Sequence, residues 1–130
     1  MPSLRFSVLP GSWAVLRLPP DAEVPAGLLL PPFHSVTRTA AELSVVCPEA
    51  SFPPGTRAET GWALLALEGP FAFDLVGILA AFLAPLATAG VGVFTLSTFD
   101  TDYVLVKRER LDDALAALAA AGHQRLGAAT

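Results

Sequence analysis

The chain has little of what most specialised chemistries require. Of its 130 residues one is cysteine and two are histidine. A single cysteine cannot form an intrachain disulfide, so a reducing compartment is the simpler expectation, and Cys47 reads as a small core hydrophobe. His34 and His123 stand far apart with no cysteine or acidic cluster at ligand spacing, so neither a metal nor a cofactor is expected. Charge is scarce as well. Only 15% of residues are charged, the net charge is −4, and the eight basic residues are scattered singly. No cationic stripe is available to neutralise phosphates or hold an anionic bilayer, which removes nucleic acid and membrane surfaces from the expected partners. Gly-rich phosphate loops, nucleophile elbows and paired metal-binding histidines are missing too, and the chain reads as a non-enzyme. Its start, MPSLRFSVLPGSW, places Pro and Gly where a secretory leader runs apolar, so a cytoplasmic location is expected.

Apolar residues, in contrast, make up 53% of the chain, which excludes disorder and raises one membrane-spanning candidate. Leu75 to Phe99 carries no charge and exceeds the roughly 20 residues a bilayer needs. Gly90 and Gly92 break that run, leaving a helix too short to cross and a strand-like VGVFTLSTF beyond it. Within the helix Leu75, Leu79 and Leu83 form one i, i+4 row beside Ile78, Phe82 and Leu86, giving one broad apolar face. Asp74 is placed to cap its N-terminus and Gly90 to end it, while Pro85 should kink it.

Around this helix the elements follow in order. Trp62 to Glu68 (WALLALE) suits a buried strand stopped by Gly69-Pro70. Val91 to Ser97 reads as a strand, Thr98 to Asp102 as a polar turn, and Tyr103 to Lys107 as the hairpin partner. Leu111, Leu115 and Leu118 recur at helical spacing until Gly122, and HQRL supplies a last short strand. The order βαββαβ is that of a ferredoxin-like α+β fold, two helices on one face of an antiparallel sheet. In the first half, Trp13 to Leu18, Phe33 to Thr39 and Leu43 to Cys47 resemble strands. The prolines at 19, 20, 25, 31 and 32 leave room for at most one helical turn around Ala26 to Leu30. With a linker at Ser51 to Gly61, the expected division is a module at 1–55 and a second at 61–130, packed closely.

The stretches LPGSWAVLRLPPDAEVP, SVTRTAAELSVVC and GPFAFDLVGILAAFLAPLATAGVGVFTLSTFDTDYVLV together resemble a family of small proteins with paired ACT domains. The same module type occurs in cytosolic arginine sensors and in the regulatory domains of aspartate kinase. The resemblance runs from about Leu9 to about Leu126, and its most specific part is the helix, glycine and strand followed by STFDTDYVLV. It implies an amino-acid-binding or regulatory protein whose ligand lies at an interface between modules, and a homodimer. The implied ligand positions are Asp74, Gly77 and Ile78 at the helix start, Gly92 and Val93 before the next strand, and Thr98, Phe99, Asp100 and Asp102 at the turn. Leu75 stands where the arginine sensors have a glutamate, so a guanidinium pocket does not carry over.

The chemistry of these positions suits a zwitterion. Free helix amides attract a carboxylate, glycines permit close approach, and aspartates answer an ammonium group. Plainer readings stay open beside this one. Asp74 serves equally as a cap alone, Asp100 and Thr101 as turn formers, and Asp102 as a solvated strand end. A ligand-free dimerisation module acting through a protein partner is the alternative function.

Overall fold

Arg5 to Leu18 forms one strand, β1, straight through the Pro10-Gly11 interruption. Gly11 adopts a φ of +106°, a conformation that side-chain-bearing residues rarely take, so the chain absorbs the irregularity without leaving the sheet. The computed structural model describes residues 3–49, 52–71 and 76–127. Its further elements are β2 (Ser35–Arg38), β3 (Leu43–Pro48), β4 (Arg57–Leu67), α1 (Ile78–Thr88), β5 (Phe94–Ser97), β6 (Asp102–Lys107), α2 (Leu111–Ala120) and β7 (Gln124–Arg125). They divide into two units, one of residues up to Pro10 together with Ala63 onward, the other Gly11–Trp62.

The larger unit has the ferredoxin-like order β4, α1, β5, β6, α2, β7, as the sequence pattern implies, and is α+β. It also contains a strand the pattern from Trp62 onward does not include. The first half of β1 lies between β4 and β7, so the strands run β7-β1-β4-β6-β5. β7 pairs with β1 in parallel, Arg5 opposite Gln124, so this sheet is mixed where an antiparallel one is expected. Leu4, Phe6 and Val8 alternate onto the core with Leu65, Phe82, Leu86, Val104, Val106 and Leu118. Phe6 meets Phe82 edge-on with ring centroids 5.3 Å apart.

Both helices end alike. After α1, Gly90 takes φ +73° and donates its N–H to Ala87 O, while Val91 N–H reaches Leu86 O. After α2, Gly122 at φ +91° and His123 repeat the pair to Ala119 O and Leu118 O. These are Schellman closures, and each buries the residue that follows its glycine, Val91 in one case and His123 in the other.

His123 has a second task. Pro85 lies inside α1 and has no N–H to give the carbonyl of Ala81, four residues earlier. Leu4 N–H donates to Nδ1 of His123 at 3.0 Å, which fixes Nδ1 as the acceptor and therefore puts the ring proton on Nε2. Nε2 then donates to Ala81 O at 2.9 Å, satisfying the carbonyl that Pro85 leaves open. The helix accordingly continues through Pro85 to Thr88 rather than breaking there.

The smaller unit orders its strands β2-β3-β1-β4. β1 and β3 pair from Trp13 opposite Pro48 to Leu18 opposite Leu43, and β2 joins β3 from Ser35 opposite Val46. The proline-rich connection yields only one 3₁₀ turn, Ala26–Leu28, whose Leu28 covers Ala14, Leu16, Leu43, Val45 and Cys47. Burial pushes the Cys47 thiol above its ordinary pKa. Trp13 is buried and gives its indole N–H to Phe33 O at 3.1 Å. The stretch expected to be a linker as far as Gly61 becomes strand at Arg57, with Gly61 at φ +77° inside β4. Among the described residues no helix is long and apolar enough to cross a membrane, and the uncharged run beyond α1 turns into β5.

Candidate functional site

The β5–β6 turn is fastened twice over. Thr98 N–H donates to Thr101 O at 2.8 Å, and the Thr98 hydroxyl accepts from Thr101 N–H at 3.3 Å. One step down the hairpin, Ser97 and Asp102 are register partners, and the Ser97 hydroxyl donates to Oδ1 of Asp102 at 2.5 Å. One carboxylate oxygen of Asp102 is thereby committed to orienting the side chain.

This turn also holds the end of β4. Asp100 O accepts from Phe71 N–H at 2.9 Å, and the Thr101 hydroxyl donates to Leu67 O at 2.8 Å. A Cβ on Gly69 would come within 2.8 Å of Asp100 O and 3.0 Å of Thr101 Cβ, so only glycine lets the strand exit lie this close. Gly69 and Ser97 are thus supporting residues that sequence reasoning missed, and Thr101, expected as a turn former, also ties the turn to β4. The Gly69-Pro70 pair was legible only as a turn, because close approach between distant segments leaves no local signal.

Six residues after Phe71 the chain reaches the start of α1. Gly77 occupies the N-cap position at φ +79° with no side-chain cap, and Asp74 lies outside the described residues. The first intrahelical bond runs from Ala81 N–H to Gly77 O, so the amides of Ile78, Leu79 and Ala80 precede the helical ladder. Gly77 is exposed with nothing near an added Cβ, whereas Ile78 is half-buried against the core. Val76 and Phe99 are 90% and 79% exposed, an uncommon degree for large apolar side chains.

Gly92 and Val93 lie elsewhere. They follow α1 and precede β5, and α1 has eleven residues, which makes it about 16 Å long at 1.5 Å per residue. β5, with four residues, separates them from Thr98 by about 13 Å. Around the α1 C-terminus, Arg110 donates to Gly90 O at 3.2 Å and Ala89 O at 3.3 Å while pairing with Asp113 at 3.0 Å. Gly92 itself is open, with no atom within 4 Å of an added Cβ. The eight described positions therefore form two groups within one copy: Gly77 and Ile78 at the helix start with Thr98, Phe99, Asp100 and Asp102 at the hairpin turn, and Gly92-Val93 across the length of α1 and β5 from them. A ligand the size of an amino acid cannot touch both groups of one copy.

Comparison with known proteins gives a consistent picture. A family model described as ACT domain matches residues 57–120, and a model of an N-terminal domain matches residues 11–54. The chain is 32% identical over 98 residues to the cytosolic arginine sensor for mTORC1 subunit 1 of Bos taurus. That match takes in 67% of this chain and 30% of the bovine protein, so the chain spans less than a third of that relative. A solved structure from Agrobacterium tumefaciens is 40% identical with a TM-score of 0.92, covering 97% of this chain and 94% of that one. The regulatory subunit of aspartate kinase from Thermus thermophilus, in its ligand-free form, superposes with a TM-score of 0.58 over 85% of this chain and 91% of that one. At 15% identity the last likeness is one of fold.

Proposed function

The chain belongs to the ACT-domain family, and on that premise we propose that it is a non-enzymatic regulatory protein that binds an amino-acid-like ligand between two copies of itself. The observation that carries this reading is the separation of the candidate residues into two groups at opposite ends of α1 and β5. One copy brings the amides after Gly77 and the turn from Thr98 to Asp102, with Asp74 beside them in sequence. Its partner brings Gly92 and Val93. The helix amides hold the ligand carboxylate, Asp102 holds its ammonium group, and the bare backbone at Gly92 lets it approach.

Two further features support association through this unit. β5 is the last strand of its sheet, and Val91 to Phe99 contains no charge and no proline, the devices that ordinarily guard an edge. The paired-module division at 1–55 and 61–130 belongs to the same proposal, refined by the strand that residues 5–10 add to the second module. So does a cytosolic setting, the word that the bovine relative's name carries.

The test is a thermal-shift screen against the common amino acids, followed by titration calorimetry. A ligand that binds only the native state stabilises it by RT ln(1 + [L]/Kd), about 2.7 kcal/mol at a hundredfold excess over Kd. At least one amino acid should raise Tm by several degrees. A flat screen would instead support the ligand-free dimerisation module.

A further inference from the structure

We propose that Ser12 and Glu49 form a second binding site, in the unit Gly11–Trp62, for a small organic cation that carries a primary ammonium group on an apolar body. A groove of about 440 Å³ opens there, lined by Gly11, Ser12, Pro48 and Glu49. That volume lies within the roughly 300–1,000 Å³ usual for small-molecule sites. None of these residues belongs to the groups around α1 and β5, so the inference stands apart from the amino-acid site.

The polar groups of the groove are incompletely used. Glu49 accepts one hydrogen bond, from Gly61 N–H to Oε1 at 3.3 Å, which holds the half-buried side chain in place. Among the described residues no cation and no second donor meets this carboxylate, and the Ser12 hydroxyl has no partner. An anchored, unneutralised carboxylate beside an open groove is an electrostatic site for a cation. Among the described residues the rest of the lining, Gly11 and Pro48, is apolar. Pro48 offers a ring and no N–H, and it is the cross-strand partner of Trp13, whose indole lies 3.8 Å from where a Cβ on Gly11 would stand. A φ of +106° keeps position 11 a glycine and the mouth of the groove bare.

A tetrahedral ammonium suits this pair, because its separate N–H groups can use the lone pairs that Gly61 leaves on the Glu49 carboxylate together with the Ser12 hydroxyl oxygen. A metal ion needs more ligands than this, and among the described residues no group of three or more His, Cys, Asp or Glu side chains comes together.

The experiment is an amide-resolved NMR titration of the full chain with n-butylamine, and with n-butanol as the neutral match. The amine should shift the backbone amides of Gly11, Ser12, Glu49 and Gly61 saturably, and the alcohol should not. Glu49→Gln keeps an oxygen for Gly61 N–H but removes the charge, so the fold should survive while affinity for the amine falls at least tenfold. Ser12→Ala should lower it severalfold, and carries the test should E49Q fail to fold. Equal shifts with amine and alcohol, or unchanged affinity in both variants, would overturn the inference. Shifts confined to residues 76–78, 92–93 and 98–102 would overturn it as well while leaving the amino-acid site standing, and a flat amino-acid screen with these four amides still responding would separate the two in the other direction.

Discussion

Pro85 withholds a hydrogen bond from Ala81 O, and His123 replaces it from another element while also accepting Leu4 N–H. His123→Leu fills the space with an apolar side chain and leaves both backbone groups buried without partners. Leaving a buried group unsatisfied costs about 1–3 kcal/mol, so the variant should lose about 2–4 kcal/mol, read as a lower urea midpoint at unchanged slope. Cys47 is buried in the other unit, and burial raises its thiol above 9.0. The folded state therefore favours the protonated thiol. That contribution is intact below pH 9.0, the unfolded value, and is lost as pH rises through the folded one, so Cys47→Ala should flatten the alkaline fall in stability. At the proposed ligand positions, Gly92→Val meets open space and suits a strand, so Tm should hold while amino-acid binding is blocked. Asp102→Asn should weaken binding by about 1.5–3 kcal/mol, the range for a hydrogen bond to a charged group.

At the scale of elements, α1 and α2 close with the same glycine-led motif, and His123 uses its place after α2 to reach into α1. The two groups should therefore couple. In Pro85→Ala the new N–H serves Ala81 O, and the cost of His123→Leu should shrink by about 1 kcal/mol in a double-mutant cycle; strict additivity would refute the link. Most of the C-terminal unit was legible because each element announces itself locally: alternating β-branched residues in β6, leucines at helical spacing in α2, glycines after both helices. Two strand halves were not. Leu4, Phe6 and Val8 alternate as a buried strand should, but Pro10-Gly11 reads as a break, and only Gly11's positive φ carries the strand across it. Arg57 to Gly61 is polar enough to pass for linker, yet it extends β4. The proposed ligand positions are nameable from resemblance, which says nothing of their arrangement within one copy. A signal existed, since an eleven-residue helix between Gly77 and Gly92 already sets them at opposite ends of an element.

At the scale of the whole molecule, the proposed ligand site, split between those positions, calls for a second copy. Sedimentation at high micromolar concentration should find a dimer, and a monomer alone would leave Gly92-Val93 without a counterpart. The most direct measurement mixes two defective copies. Gly92→Val retains a sound helix start and turn, and Asp102→Asn retains a sound Gly92. In a heterodimer of the two, one of the symmetric sites combines only native residues. Calorimetry with the amino acid that gives the largest thermal shift should show weakened or absent binding for each variant alone. An equilibrated equimolar mixture should recover about one quarter of the wild-type sites at wild-type affinity, the share expected for random pairing in a two-fold dimer. A mixture that binds no better than the average of its two components would contradict a site shared between copies.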